Sequence, residues 1–350
     1  MSTRVDPRKI VTVPFPDLLA ILPSDTYVFD HGPEALELTL RIVERRKLFN
    51  GVEVMAVNLG LLAFDFADGP LGGFRRLKST GYGEISQAVR DNEAAMLRLQ
   101  AQRLRVAVFV SACLYGVHAV RHHSTVRGAW FPSLDDVFSC AVLTPELIGL
   151  APFDMDRLLV KMRARREALN ARKLSGSSIS RATLGEGLDL ADRLLGAART
   201  YVAADPVTLI VLTYQAMVLH GLQHPGASIA IAAVVIESAI AELLYGLGLV
   251  EGVAPRLTPP QTAPAPMSRR RLKTLGFNGM VGELRSVGVL NAYLVQRIEA
   301  VRQARNAFMH DAQEPGPSQS GDALTAVRDV LRLCTGESGF ELNTGFAYRS

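Results

Sequence analysis

The most constraining feature of this sequence is the segment from Ser228 to Gly248, which contains only two charged side chains, Glu237 and Glu242. The segment approaches the length of a membrane span, but inserting each glutamate into a bilayer costs about 3 kcal/mol. No lysine or arginine lies close to either end. We therefore predict a helix that is apolar on nearly every side and lies at the centre of a helical bundle.

The composition is that of a soluble protein with a substantial core. The chain has 350 residues, 48% of them hydrophobic, which is enough for two domains. A net charge of +4 and a pI near 9.0 permit an anionic partner without requiring one. The N-terminus lacks the apolar core of a secretory signal. We expect a cytoplasmic protein that neither enters a membrane nor carries a cofactor.

The cysteine pattern offers no metal site or disulfide framework. The three cysteines are odd in number and far apart in the sequence: Cys113, Cys140 and Cys334. His118, His122 and His123 recur at helical spacing, but no carboxylate or cysteine lies at ligand spacing from them. They are interpreted as histidines near a helix end, and no metal-binding residue is predicted.

The clearest linker is Ser175–Ser180, which reads SGSSIS. It divides the chain into an N-terminal domain of residues 1–180, a helical domain of residues 181–340 and a tail of residues 341–350. The N-terminal domain is predicted to be mostly helical with some short strands, and its role is not indicated. The predicted fold class is mainly α, with a C-terminal antiparallel helical bundle.

Several N-terminal elements are expected from local patterns. Helices are predicted at Glu34–Phe49, at Leu134–Ile148, and over Glu84–His123 with a break near Gln100–Arg105. Val52–Phe66 fits either a strand or a buried helix. A further helix ends at Lys173 and is rich in lysine and arginine, which is typical of a solvated basic face or of a surface that contacts nucleic acid.

In the C-terminal domain, Asp205 and Pro206 predict a helix start, with a cap followed by proline at the first helical position. The proline-rich stretch at residues 255–266 predicts an extended, mobile loop. A basic cluster follows this loop and is predicted to bind nucleic acid: Arg269, Arg270, Arg271 and Lys273.

The candidate site lies in residues 297–311, which read RIEAVRQARNAFMHD. Leu294, Ile298, Val301 and Phe308 recur at helical spacing, and Arg305 falls within that apolar stripe. A buried arginine requires a partner, a bound anion or a water-filled cleft, because an unpaired buried charge costs several kcal/mol.

Arg305, Asn306 and His310, at the end of an amphipathic helix and downstream of the apolar helix with its central glutamate, resemble the motif of the HEPN superfamily (higher eukaryotes and prokaryotes nucleotide-binding domain). That motif is an arginine, very often followed by asparagine, and then a histidine after three to five further residues. The resemblance covers about residues 183–335. It implies an antiparallel helical bundle that dimerises with two copies of the motif facing each other across a cleft.

The resemblance also implies a function. Many members of this superfamily are metal-independent endoribonucleases of toxin, antiphage or RNA-decay systems, and others only bind nucleotides or protein partners. We therefore predict an endoribonuclease that cleaves RNA at a composite site across a homodimer. The alternative is a catalytically silent module that binds nucleotide, RNA or a regulatory protein. Some toxins of the family carry a tyrosine two residues before the histidine, where this chain has Phe308.

The chemistry of RNA cleavage agrees with these residue types. Attack by the 2′-hydroxyl requires a base, an acid for the leaving 5′-oxygen and a cation for the charge on phosphorus. His310 suits acid or base work, Arg305 suits the phosphate oxygens, and Asn306 is expected to orient them or contact the ribose. One histidine does not serve as acid and base in a single step, whereas a dimer supplies two.

Two supporting residues complete the prediction. Glu237 is expected to pair with Arg305 and fix its rotamer, and Arg302, one turn earlier, is expected to extend the phosphate contacts. The sequence also fits two structural alternatives: Arg305 and Glu237 as a buried ion pair, and His310 as a favourable charge at a helix C-terminus.

Overall fold

The computed structural model describes residues 10–14, 18–21, 27–29, 40–79, 87–122, 136–150, 152–171, 177–261, 264–339 and 341. The first part of the predicted 34–49 helix, His123, the start of the Ser175–Ser180 linker and the tail after residue 341 lie outside these residues. The chain divides into two compact units. Unit 1 comprises Met1–Val108 and Pro132–Leu184, and unit 2 comprises Phe109–Phe131 and Gly185–Ser350.

Unit 1 is built on a closed six-stranded antiparallel barrel. Its strands occur in the order β2, β6, β5, β4, β9, β8 around the barrel, and β1 pairs with β7 while β10 pairs with β3 in two separate ladders. The strands are β1 Ile10–Pro14, β2 Leu18–Ile21, β3 Tyr27–Phe29, β4 Leu40–Lys47, β5 Glu53–Val57, β6 Leu61–Asp65, β7 Arg75–Ser79, β8 Val137–Thr144, β9 Leu147–Leu150 and β10 Ser177–Ile179.

This barrel corrects the expectation of a mostly helical N-terminal domain. The described part of the predicted 34–49 helix is strand β4, and the predicted helix at 134–148 is replaced by β8 and β9. The ambiguous Val52–Phe66 segment forms β5 and β6, in which most side chains are buried. Strands whose two faces are both covered are continuously apolar, so they lack the period-two alternation that distinguishes a strand from a buried helix.

The helices of unit 1 are the first part of α1 Gln87–Arg121 and α2 Pro152–Ala171. The predicted break near Gln100–Arg105 is wrong, because α1 continues without interruption. Arg103, within the segment where the break was predicted, is buried, and its Nε and Nη2 donate to the Leu71 carbonyl at 3.0 and 2.6 Å. A buried arginine with such an acceptor does not need a helix end.

Unit 2 is helical, which agrees with the predicted mainly α character of this part of the chain. It contains the second part of α1 and most of α3 Arg181–Ala197, followed by α4 Pro206–Gly221, α5 Pro225–Gly246, α6 Arg269–Ser286, α7 Ala292–Asp311 and α8 Pro317–Thr335. The predicted start of α4 is confirmed, since the Asp205 side chain accepts a hydrogen bond from the Thr208 amide at 2.9 Å.

Helix α5 is the centre of unit 2, as its sequence predicted. It packs against α4, α6, α7 and α8. Two described helices, α1 and α5, are long and apolar enough to cross a membrane by length and composition, and most of each apolar stretch is buried within the protein. The apolar character of α5 is thus largely accounted for by contacts with its neighbours.

Glu242 of α5 is fully buried. Its Oε2 accepts hydrogen bonds from the backbone amides of Val202, Ala203 and Ala204 at 2.8, 2.6 and 3.3 Å. Its Oε1 lies 3.4 Å from Nη2 of Arg256. The carboxylate therefore joins α5 both to the connection before α4 and to the proline-rich segment.

The proline-rich segment is not the free loop that was predicted, because its described part is fixed to the end of α5. The amides of Arg256 and Leu257 both donate to the Gly246 carbonyl at 2.8 Å. The Arg256 guanidinium donates to the Cys334 carbonyl at 2.8 Å and lies 3.8 Å from the centre of the Tyr201 ring. Proline suppresses regular structure, but Arg256, whose side chain is only 13% exposed, anchors the segment.

We expect stability to fall on mild acidification because of His118 in α1. Burial, with a smaller contribution from neighbouring His122, lowers the pKa of His118 to about 4. Since the unfolded chain binds this proton near pH 6.5, stability is complete above that pH and is lost as the pH falls from 6.5 towards 4, by up to about 3 kcal/mol. Burial also lowers the pKa of His220, which adds a loss of the same sign.

Urea unfolding of wild type and His118→Asn between pH 7.5 and 4.5 tests this. The variant should have a flatter dependence on pH. The Asp68 carboxyl does not affect this comparison of slopes, because its hydrogen bond to Lys47 lowers its pKa and it titrates below pH 4.5. An equal slope for both proteins would contradict the prediction.

Candidate active site

Helix α7 carries the motif and remains regular through it. It begins at the Asn291 cap, whose side chain accepts from the Leu294 amide at 2.8 Å. It ends at Asp311, and Ala312 adopts a left-handed conformation with φ of 51°. The helix therefore does not unwind near Met309, and Arg305 and His310 stay about 140° apart around its axis.

Arg305 is half-buried in line with the buried residues Leu294, Ile298 and Val301. Its Nη1 donates to the Asn306 Oδ1 at 3.3 Å. No carboxylate among the described residues forms an ion pair with it. Asn306 thus orients the guanidinium, which keeps most of its N–H donors and its positive charge available for an anion.

The other motif residues differ in their availability. His310 is exposed in the last turn of α7. Arg302 is engaged by Glu299, with Nε–Oε2 and Nη2–Oε1 distances of 2.8 and 2.7 Å. The hydrogen bond from Arg302 also lowers the pKa of Glu299. Arg302 therefore binds a phosphate only if it releases the Glu299 carboxylate.

The predicted pairing of Glu237 with Arg305 does not occur within the chain. Phe308 packs on Gly226 at the start of α5, so α7 ends where α5 begins and the two helices run in opposite directions. Along the axis of α5, Glu237 lies about 16 Å from Gly226. Arg305 precedes Phe308 by three residues, so it lies only about 5 Å from Gly226 in the same direction. An offset of about 12 Å along the helices separates the two residues, no ion pair joins them among the described residues, and a sequence pattern does not reveal such an offset.

The end of the bundle near the motif contains residues that the sequence did not indicate. Glu314, in the turn after α7, accepts a hydrogen bond from the Gly226 amide at 3.0 Å. Ser320, at the start of α8, has its hydroxyl oxygen 2.5 Å from Nδ1 of His220 at the end of α4, and both side chains are buried. These contacts fix the turn that follows His310 and the chain just beyond it. They join residues far apart in sequence, so no local signal identifies them.

The predicted nucleic-acid-binding residues lie at the opposite end of α5. Met267 pairs with the chain just after α5 through Leu249 and Glu251, and the first turn of α6 follows immediately. Its cations Arg269, Arg270, Arg271 and Lys273 are exposed, and Arg271 is paired with Glu283 at 2.8 Å. We call these four residues the α6 basic turn. The length of α5 separates it from Phe308 by about 30 Å, so one chain does not bring it to the motif.

We expect Gly226→Ala to destabilise unit 2, although alanine usually favours a helix by up to about 1 kcal/mol. A Cβ at Gly226 would lie 2.4–2.7 Å from three atoms of the Phe308 ring. Moving that ring should cost about 1–3 kcal/mol and shift the end of α7. Thermal unfolding measures the effect, with Gly282→Ala in α6 as the control, because a Cβ there has no neighbour within 4 Å. A gain in stability at both positions would refute the prediction.

No group of three or more histidine, cysteine or carboxylate side chains suited to a metal ion occurs in the described part of the chain. The rings of His118 and His122 lie 4.4 Å apart, and His118 is buried, which fits the interpretation of histidines near a helix end. The three cysteines are free thiols.

The candidate site therefore consists of Arg305, Asn306 and His310 on one regular helix. The hydrogen bond of Glu314 and the Phe308–Gly226 contact fix this end of the bundle. Within one chain, Arg305 and His310 face different directions. Comparison with known protein families, curated proteins and solved structures gives no match to this chain.

Proposed function

We propose that this protein is a metal-independent endoribonuclease of HEPN type that cleaves RNA at a composite site across a homodimer. The observation that carries the proposal is the Arg305 side chain, which is half-buried, hydrogen-bonded to Asn306 and without a carboxylate partner among the described residues. An exposed histidine follows on the same helix. A role in a toxin or antiphage system rests on the sequence resemblance alone, and a cytoplasmic location rests on the sequence of the N-terminus and on the cysteine pattern.

The chemistry follows from these side chains. His310 takes the proton of a 2′-hydroxyl or gives a proton to the leaving 5′-oxygen, because imidazole exchanges protons near neutral pH. Arg305 binds the non-bridging phosphate oxygens through its parallel N–H groups and offsets the charge that grows on phosphorus. Asn306 holds the guanidinium in place.

The homodimer follows from the helix geometry. Arg305 and His310 lie about 140° apart on α7, so they do not converge on one phosphate from a single regular helix. The remaining groups of the site therefore come from a second copy of the chain. The composite site makes dimerisation a condition of activity.

Cleavage of a mixed single-stranded RNA in EDTA tests the proposal. Wild type should leave cyclic-phosphate ends, and His310→Ala should lose about 10²–10⁴ of the rate. His224→Ala is the matched control, because His224 is also exposed and its side chain does not cap α5. It should keep the wild-type rate.

Two outcomes would contradict the proposal. Strong dependence on added metal would contradict the metal-independent mechanism. RNA binding without cleavage by a folded wild-type dimer would instead support the silent module that binds nucleotide, RNA or a protein partner.

A further inference from the structure

Gly226, in the first turn of α5, is contacted by two side chains from the end of α7 and the turn that follows it. Three atoms of the Phe308 ring lie 2.4–2.7 Å from the place that a Cβ of residue 226 would take. In addition, the Gly226 amide donates a hydrogen bond to Oε1 of Glu314 at 3.0 Å. We call Gly226, Phe308 and Glu314 the Gly226 clamp. His310 lies between its last two members in the sequence.

The Glu314 carboxylate acts as a cap for α5. The amides in the first turn of a helix have no acceptor within the helix. Pro225, the first residue of α5, has no amide hydrogen, and the His224 side chain does not cap the helix. The Gly226 amide takes its acceptor from Glu314, 88 positions further along the chain. A carboxylate is favoured in this place, because the start of a helix carries a partial positive charge.

The turn after α7 includes a backbone conformation that its residue disfavours. Ala312 is left-handed, with φ of 51°, and the Cβ of an alanine is crowded in that conformation. The Gln313 amide closes the helix end by donating to the Ala307 carbonyl at 3.1 Å. A disfavoured conformation persists where surrounding contacts hold it. The Glu314 hydrogen bond, which follows two residues later, supplies such a contact from outside the turn.

His310 lies inside this segment and has no side-chain anchor of its own. Its imidazole is exposed and forms no hydrogen bond or ion pair with the described residues. The position of the ring is therefore set by the backbone at the end of α7. Proton transfer requires heavy atoms about 2.6–3.2 Å apart, and a misplacement of about 1 Å lowers a rate by about a hundredfold. The contacts that fix the last turn of α7 thus control how well His310 acts.

We propose that Glu314 is a positioning residue for His310. Its hydrogen bond to Gly226, together with the Phe308 ring, holds the chain before and after His310 against one residue of α5. The proposal rests on the proposed function, in which His310 transfers a proton. Both contacts lie within one chain, so each copy of the dimer orients its own His310 before the two copies meet.

RNA cleavage in EDTA tests this role. Glu314→Ala should lower kcat by about ten- to a hundredfold, because the last turn of α7 is no longer fixed. KM for RNA should stay close to the wild-type value, since the phosphate contacts of Arg305 are retained. Glu314→Gln should keep most of the wild-type kcat, because its amide oxygen accepts the same hydrogen bond. A merely structural residue would change the folded fraction but not the rate per folded molecule.

Gln313→Ala is the matched control. Gln313 precedes Glu314 in the same turn and is exposed, and its side chain forms no hydrogen bond with the described residues. The variant should keep the wild-type kcat. The pH dependence of kcat separates positioning from an effect of charge. Positioning leaves the pH optimum of both Glu314 variants at the wild-type value, whereas an effect of the carboxylate charge on His310 would move the optimum in both.

Amide hydrogen exchange, measured by NMR, tests the Gly226 clamp without any need for cleavage. The Gly226 amide is hydrogen-bonded to Glu314, and the amides at the end of α7 belong to a regular helix. Glu314→Ala should speed exchange at Gly226 and at residues 308–311 by about tenfold, the effect of losing one hydrogen bond. Glu314→Gln and Gln313→Ala should leave these exchange rates close to wild type.

Three results would overturn the positioning role. They are unchanged exchange in Glu314→Ala, an unchanged kcat in that variant despite faster exchange, and a kcat in Glu314→Gln as low as in Glu314→Ala. If wild type does not cleave RNA, the proposed function fails, and the exchange rates alone decide whether Glu314 fixes the helix end that carries His310.

Discussion

Replacing Glu242 by glutamine should lower the free energy of unfolding of unit 2 by about 3 kcal/mol or more. The side chain is fully buried, accepts three backbone hydrogen bonds and faces Arg256 at 3.4 Å. Glutamine keeps the shape but leaves the largely buried Arg256 charge without this counter-ion, and its amide nitrogen cannot accept a hydrogen bond. Urea unfolding followed by circular dichroism measures the loss.

Glu283→Gln is the matched control for this prediction. It makes the same chemical change in the Arg271–Glu283 pair, in which the arginine side chain is 62% exposed. Water replaces the lost contact there, so the expected loss is under about 1 kcal/mol. The double variant Glu242→Met, Arg256→Met should recover part of the loss, because no buried charge is left unpaired. Equal effects of the two glutamine variants would show that the Glu242 cluster is not a determinant of stability.

Replacing Arg305 by alanine should abolish RNA cleavage while leaving the fold near intact. We expect a loss of about 10²–10³ or more in rate, because the charge that develops on phosphorus loses its cation. Among the described residues, the one hydrogen bond that the Arg305 side chain gives up is to Asn306 and it has no ion pair to lose, so the free energy of unfolding should change by less than about 1 kcal/mol. Arg305→Lys should not restore the rate, since an ammonium does not bind two phosphate oxygens in parallel.

Arg297→Ala on the same helix should show the reverse behaviour. Arg297 is largely buried and lies 3.3 Å from Asp329 across to α8. Its loss should reduce stability but leave the rate per folded molecule unchanged. The cleavage rates of both variants are measured at protein concentrations at which each variant is dimeric. A weakened dimer is then not mistaken for the loss of a catalytic group. If Arg305→Ala unfolds the domain, or cleaves at the wild-type rate, the assigned role of Arg305 is wrong.

The candidate site could be predicted to the extent that its residues lie on one helix. The spacing of Leu294, Ile298 and Val301 predicts α7, and the position of Arg305 within that apolar stripe marks it as a candidate site residue. The cap at Asp205 and the central position of α5 were predicted for the same reason. Helical periodicity and capping are properties of short stretches of sequence.

The barrel of unit 1 could not be predicted in this way. β5 and β6 are buried on both sides, so their apolar runs have the same signature as a buried helix. β8 and β9 lie far in sequence from β2 and β4, their partners in the barrel. Strand pairing is satisfied by residues distant along the chain, and only the folded chain brings them together.

The sequence by itself determined the helical periods of unit 2, the start of α4, the buried position of α5 and the motif of Arg305, Asn306 and His310. The tertiary structure alone decided which charges meet. It paired Glu242, rather than Glu237, with a largely buried arginine, and that arginine, Arg256, anchors the proline-rich segment. It also placed the α6 basic turn about 30 Å from the motif. Periodicity is set by local backbone geometry, whereas the pairing of charges depends on the distances between whole helices after they have packed.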